Sequence, residues 1–152
     1  MEAKVIGRNL ELSTKQVVEI GSFIKGRKII NARNLLQKVL EKKVAVPYKK
    51  YNRDVGHKRG QIASGRFPEN SSEAVIKLLN SLVANAEAKG MNENNLIINY
   101  FSASIGERRW HAGRYRGRKT KSTNVEIRAQ EEVKEEKKEV KKEKQKWLRD
   151  KY

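Results

Sequence analysis

The chain has 152 residues, a length that suits one domain with appendages. Its 35 Lys and Arg against 18 Asp and Glu leave a net charge of +17, which repels itself in a compact state and calls for a polyanionic partner. The absence of cysteine excludes disulfides, thiolate zinc sites and cysteine nucleophiles together, and 37% hydrophobic residues allow only a small core.

Lys4-Val5-Ile6-Gly7-Arg8 reads as a first strand. A helix start follows: Ser13 is placed to cap, Gln16 stands three on as its capping-box partner, and Leu12 with Val17 forms a hydrophobic staple. Val17, Ile20, Gly21 and Ile24 share one face, and Gly26 is the expected stop. A second helix is predicted from about Asn31 to Lys43, with Ala32, Leu36, Val39 and Leu40 as its stripe. Lys42 and Lys43 would sit at its C-terminus, where the helix dipole favours cations, and Pro47 prevents continuation. The third helix is capped by Ser71 or Ser72, has Glu73 in its first turn, turns Val75, Leu79, Leu82, Val83 and Ala86 to one side, and ends at Gly90. Ala84, Ala86 and Ala88 would allow a close neighbour.

Between the second and third helices, residues 44–70 show almost no apolar periodicity. From Lys42 to Arg66 there are 8 basic residues and one acid; Tyr48, Tyr51 and Phe67 are interleaved in the segment, and Gly56, Gly60 and Gly65 break it up. Such a stretch cannot fold on its own burial, and a loop of this length inside a compact domain is usually functional.

Asn95 to Phe101 reads as a strand with Leu96, Ile98 and Tyr100 on one face, and Thr123, Val125 and Ile127 alternate in its partner. The stretch between them is polar and Gly-punctuated; residues 101–121 hold 7 basic residues and one acid. Continued as a hairpin of ten residues per arm, at ~3.3 Å each, it would project on the order of 30 Å. Residues 129–152 form a Lys/Glu-rich tail, helical or disordered, with i,i+3 pairs Glu135–Lys138 and Glu139–Lys142 and with Trp147 and Leu148 as a candidate anchor. The expected fold is α+β: a small antiparallel sheet of about three strands packed on three helices, with a long protruding basic β-hairpin and a charged C-terminal tail.

Both basic segments interleave cations with aromatics, and RNA gives each residue type a task. Cations neutralise phosphates and release counterions, aromatics and guanidinium planes stack on unpaired bases, and glycines let backbones approach. The candidate RNA contacts in the insert are Lys49, Lys50, Tyr51, Arg53, His57, Lys58, Arg59 and Arg66. Those in the hairpin are Arg108, Arg109, Trp110, His111, Arg114, Tyr115, Arg116, Arg118, Lys119 and Lys121. A surface built only for solubility mixes both signs of charge, and these segments do not.

Catalysis finds no support. His57 and His111 are the only histidines, and no carboxylate orients either ring; Asp54, three before His57, is an incomplete metal pair. Ser102 and Ser104 lack an identifiable base, and the sequence has no phosphate-binding loop, no dinucleotide fingerprint and no convincing paired-carboxylate arrangement. No catalytic residue, metal or cofactor is therefore expected. No apolar run is long enough to span a bilayer, no signal-peptide core occurs, and no basic amphipathic helix stands out, so a soluble protein without a membrane partner is expected.

The order strand, two helices, basic insert, alanine-bearing helix and basic hairpin resembles the universal large-subunit ribosomal protein twenty-two family in its archaeal and eukaryotic form. Four local matches carry the resemblance. They are Leu12-Ser13-Thr14-Lys15-Gln16; Val46-Pro47-Tyr48-Lys49-Lys50-Tyr51-Asn52 with Gly56-His57-Lys58-Arg59-Gly60 and Gly65-Arg66-Phe67-Pro68; Leu82-Val83-Ala84-Asn85-Ala86-Glu87 with Lys89-Gly90; and Arg108-Arg109-Trp110 with Gly117-Arg118 and Lys121-Ser122-Thr123-Asn124-Val125-Glu126-Ile127. The match spans residues 1–128, with the insert at 44–70 and the hairpin at 96–128; the tail lies outside it. At the hairpin tip the sequence departs, with His111-Ala112-Gly113-Arg114 where the family usually has a Met-Pro-Arg-Ala-type run.

The resemblance implies a structural constituent of the large ribosomal subunit in the cytoplasmic ribosome. Its partners would be large-subunit ribosomal RNA, neighbouring ribosomal proteins and the nascent polypeptide, whose exit tunnel the hairpin would line. It would aid subunit assembly and would not form a homo-oligomer. The competing readings are a free RNA chaperone or nucleoid-type protein, and an RNA-modifying enzyme, for which no catalytic group is present.

Overall fold

The computed structural model describes residues 2–131. The tail pairs Glu135–Lys138 and Glu139–Lys142 and the Trp147–Leu148 anchor lie outside them. The element order is β1 (Glu2–Leu10), α1 (Thr14–Ile24), α2 (Ile29–Leu40), β2 (Val46–Pro47), β3 (Gly65–Arg66), α3 (Glu69–Glu87), β4 (Leu96–Ile105) and β5 (Thr123–Glu131). β1, β5 and β4 form an antiparallel sheet in that order, and β2 pairs with β3 in a small second sheet. The fold is thus the expected α+β arrangement, three helices on a three-stranded antiparallel sheet.

Alternation on the strands sets the layers. Ala3 and Gly7 of β1, Val125, Ile127 and Ala129 of β5, and Leu96 and Ile98 of β4 are buried beneath the helices. α3 packs on β1, α1 on β4 and α2 on α3. Val17, Ile20 and Ile24 of α1, Ala32, Leu36 and Val39 of α2, and Val75, Leu79, Leu82 and Ala86 of α3 complete one hydrophobic cluster. Each fully buried Leu, Ile or Val contributes roughly 1.5–3 kcal/mol relative to exposure. Gly21 is what lets α1 lie on β4: a Cβ there would stand 2.2 Å from Phe101 Cδ1.

Several local expectations are corrected. Ser13 is the N-cap of α1, but its side chain makes no cap bond, and Gln16 does not complete a capping box. Ser71, buried within α3, donates its hydroxyl to Gln16 Oε1 at 3.0 Å instead, because a buried hydroxyl needs an acceptor. The second helix ends at Leu40, and Lys42 turns the chain at φ 59, so Lys42 and Lys43 lie beyond the helix terminus. They pair with Glu69 and Glu41. The third helix begins at Glu69 after Pro68, so Ser71 and Ser72 lie inside it rather than capping it. Of the three alanines only Ala86 is buried; Ala84 and Ala88 face solvent.

On β4 the expected face breaks at Asn99. Ile98 pairs with Ala129 and Tyr100 with Arg128, leaving Asn99 as an extra residue. Parity therefore switches: Phe101 packs on the core while Tyr100 faces out at 41% exposure, under Arg128.

Candidate nucleic-acid interface

The basic insert lacks a core of its own and borrows one. Val46 and Tyr48 are buried in the main cluster, and Tyr51 and Val55 pack against it. Its backbone is fixed by Glu19, which sits on the apolar face of α1 at 1% exposure. Glu19 Oε1 accepts the N–H of Lys50 at 2.9 Å and of Tyr51 at 2.7 Å, and Oε2 accepts that of Lys49 at 3.1 Å. Three donors satisfy a carboxylate that would be costly to bury bare. The far arm of the insert returns through a bridge between His57 and Ser64 and the short β2–β3 ladder.

The hairpin is rooted by a second polar cluster. Asn9, at φ 51, donates its N–H to Asn124 Oδ1 at 2.8 Å. Its Oδ1 accepts from the Glu107 N–H at 3.2 Å and the Ser122 hydroxyl at 3.3 Å. Thr123 donates its hydroxyl to the Leu12 carbonyl at 2.9 Å and shares a 2.8 Å contact with the Thr14 hydroxyl, tying the start of α1 to the hairpin root. Beyond Ile105 the continuous ladder gives way to isolated hydrogen bonds. Gly106 N–H donates to the Ser122 carbonyl, Thr120 N–H to that of Arg109, and His111 N–H to that of Arg118. Trp110 bridges Lys119, and a 3₁₀ turn at Gly113–Tyr115 reverses the chain.

These anchors bring the two segments together at the N-terminus of α1. One cleft of about 420 Å³ is lined by Lys15 and Gln16 of α1, by Lys50, Tyr51, Arg53 and Arg66 of the insert, and by Lys121 of the hairpin, with Tyr48 in its wall. A neighbouring cleft adds Arg108 and Ile105. Among the described residues no acid lines either cleft. Lys49 and Arg59 stand apart, along grooves around Phe23 and Ile62. Lys58 and the exposed Arg109, His111, Arg114, Arg116, Arg118 and Lys119 do not line the main cleft.

The interleaving of cations and aromatics in the sequence becomes close approach in space. Lys15 and Lys50 lie 5.7 and 5.6 Å from the Tyr51 ring centroid, and Arg66 lies 5.9 Å from that of Tyr48. Lys58 covers Phe67, Arg118 covers Tyr115, and Lys119 lies 4.5 Å from the Trp110 centroid. Burial pushes the Tyr48 phenol up, against the lowering field of Arg66 and with a further rise from Glu19, so it stays a hydrogen-bond donor at neutral pH. No group of three or more His, Asp or Glu capable of holding a metal occurs among the described residues. The arrangement offers phosphate-binding cations and flat stacking surfaces.

Sequence reasoning did not select Lys15, Tyr48 or Glu19. For Lys15 a signal existed: a cation in the first turn opposes the helix dipole, and α1 has no acid there. For Glu19 the signal was an acid within the Val17–Ile20–Ile24 stripe.

The chain matches the family described as ribosomal protein L22p/L17e over residues 5–130. It belongs to that family. Among curated relatives, large ribosomal subunit protein uL22 of Nanoarchaeum equitans is 42% identical over 132 residues, covering 82% of this chain and 76% of the relative. The uL22 of Archaeoglobus fulgidus is 42% identical over 106 residues, 68% of each chain. That of Thermofilum pendens is 40% identical over 104 residues, covering 68% and 69%. As a ribosomal protein L22p/L17e, the chain is a structural protein of translation and not an enzyme.

Proposed function

We propose that this chain is a structural constituent of the large ribosomal subunit in the cytoplasmic ribosome, where it binds large-subunit ribosomal RNA and aids subunit assembly. The convergence of two nearly acid-free basic segments on the α1 N-terminus is the observation that carries the reading, joined to membership of the L22p/L17e family. In this reading the insert and hairpin residues named as RNA contacts meet the RNA. Lys and Arg take phosphates, while Tyr51, Trp110 and Tyr115 offer faces to unpaired bases. The hairpin reaches into the subunit and lines the polypeptide exit tunnel, so its tip meets the nascent chain and its flanks meet RNA and neighbouring ribosomal proteins. One copy serves each subunit, with no self-association.

Sedimentation of a native lysate through sucrose, before and after a high-salt wash, tests this directly. Salt-resistant co-migration with large subunits, near one copy each, is the expected result. Release into the light fractions, or spread over all nucleic acid, would replace the reading with a free RNA chaperone or nucleoid-type protein.

A further inference from the structure

The cleft at the start of α1 has the features of a built site rather than of a charged surface. Its three walls are pinned independently: the helix start by Thr14 and Thr123, the insert by Glu19, and the hairpin root by Asn9. Its cations lie beside aromatic rings, Lys15 and Lys50 beside Tyr51 and Arg66 beside Tyr48. Tyr48 is 5% exposed, and its hydroxyl has no hydrogen-bond partner among the described residues. A buried donor of that kind asks for an acceptor. The N–H groups of Thr14, Lys15 and Gln16 open the helix with no side-chain cap. At about 420 Å³ the cleft exceeds the needs of one phosphate group and falls within the size of small-ligand sites, roughly 300–1,000 Å³.

We propose that this cleft takes a single unpaired nucleotide of an RNA strand. Its phosphate lies against Lys15, Lys50 and Lys121 at the α1 N-terminus, its base lies beside Tyr51, and an oxygen of the nucleotide accepts from the Tyr48 hydroxyl. A base paired inside a duplex cannot enter a cleft walled on three sides, so the site selects a nucleotide that has left the stack. The inference rests on the RNA-binding reading above. It adds that one position reads strand conformation, where the rest of the surface reads charge.

The test uses the full chain with two RNAs carrying equal numbers of phosphates, an unstructured single strand and a blunt duplex. Tyr48→Phe removes one hydroxyl, and Lys15→Gln removes one exposed cation while sparing the core. Each should weaken single-strand binding by about tenfold, the scale of one charge-assisted or buried hydrogen bond. Duplex binding should stay within about twofold, and ultraviolet crosslinks from the single strand should fall within residues 48–53. Equal losses on both RNAs, no loss on either, or crosslinks elsewhere would overturn the proposal in favour of diffuse charge. Displacement of the single strand by adenosine monophosphate at matching affinity would overturn it in favour of a free-nucleotide site. Failure of the unaltered chain to bind either RNA would instead sink the RNA-binding reading itself.

Discussion

Replacing Glu19 by Gln tests how the basic insert is held. In the native chain Oε1 receives two backbone N–H groups, at 2.9 and 2.7 Å, and Oε2 receives one, at 3.1 Å. Gln keeps one carbonyl oxygen, so two bonds pass from charge-assisted to neutral, a loss of about 1 kcal/mol each. Its amide nitrogen then faces the Lys49 N–H donor to donor, and that bond is lost at about 1 kcal/mol more. Relief of carboxylate desolvation works the other way, but the three donors and the cations of the insert already offset most of that penalty. The net destabilisation should be about 2 kcal/mol, or roughly thirtyfold in the unfolding equilibrium. Urea unfolding should show a lower midpoint, and amide exchange at Lys49, Lys50 and Tyr51 should accelerate far more than exchange in α3. A variant with an unchanged midpoint and unchanged exchange at those amides would refute the anchoring role, leaving Val46 and Tyr48 to place the insert alone.

Gly21→Ala should destabilise by about 1–3 kcal/mol, because its Cβ would meet the Phe101 ring at 2.2 Å; trimming Phe101 to Leu in the same chain should recover most of the loss in thermal unfolding. Asn9→Ala removes the acceptor for Glu107 and Ser122 and a side chain suited to positive φ. A loss of about 2 kcal/mol is expected, with amide shifts in NMR spectra concentrated at residues 105–109 and 120–124. Lys4 first, and then Arg128, hold the Glu126 carboxyl below its ordinary value of 4.5. That contribution is present above the unfolded value and disappears as pH falls through the lowered folded one. The stability gap between Glu126→Gln and the native chain, measured by urea unfolding, should therefore exist at neutral pH and close in acid. Replacing Arg108, Arg109, Arg114, Arg116 and Arg118 by Ala should weaken RNA binding and leave the core folded. The salt slope of affinity should drop by roughly 0.7–0.9 for each phosphate that the variant no longer neutralises, and an unchanged slope would rule out phosphate clamping.

The helices were legible because their burial is periodic: Val75, Leu79, Leu82, Val83 and Ala86 form one stripe in the sequence and one buried face in the fold. Their ends were less legible, since the cap at Ser13 depended on a partner for Gln16 that only α3 supplies. Strand β5 was readable because it lies at the centre of the sheet and alternates cleanly, whereas β4 carries its extra residue at Asn99, which a strict period of two cannot reveal. The basic segments were found by their one-signed charge, their interleaved aromatics and their glycine breaks. How they converge was not readable, because Glu19 and Asn9 act through backbone groups 30–32 and 98 residues away. Such bonds leave no local pattern; they show only as a polar residue in an otherwise apolar or extended setting.

The placement of acids decides how a chain of net charge +17 can be both folded and attractive to a polyanion. An exposed carboxylate beside the insert would steady its cations but weaken the field that draws RNA. Glu19 avoids that conflict by acting from beneath at 1% exposure, on backbone N–H groups and not on ammonium groups. Lys50 and Lys15 keep their charges outward, steadied by the neutral ring of Tyr51. Among the described residues, the acids that form side-chain ion pairs, Glu41, Glu69, Glu73, Glu93 and Glu126, lie just after α2, on α3, in the turn before β4 and on the outer sheet face, and none of them lines the cleft. Stability and recognition are thereby assigned to different faces. A carboxylate introduced at Gln16, in the cleft wall, should therefore cost more RNA affinity than one introduced on the exposed side of α3.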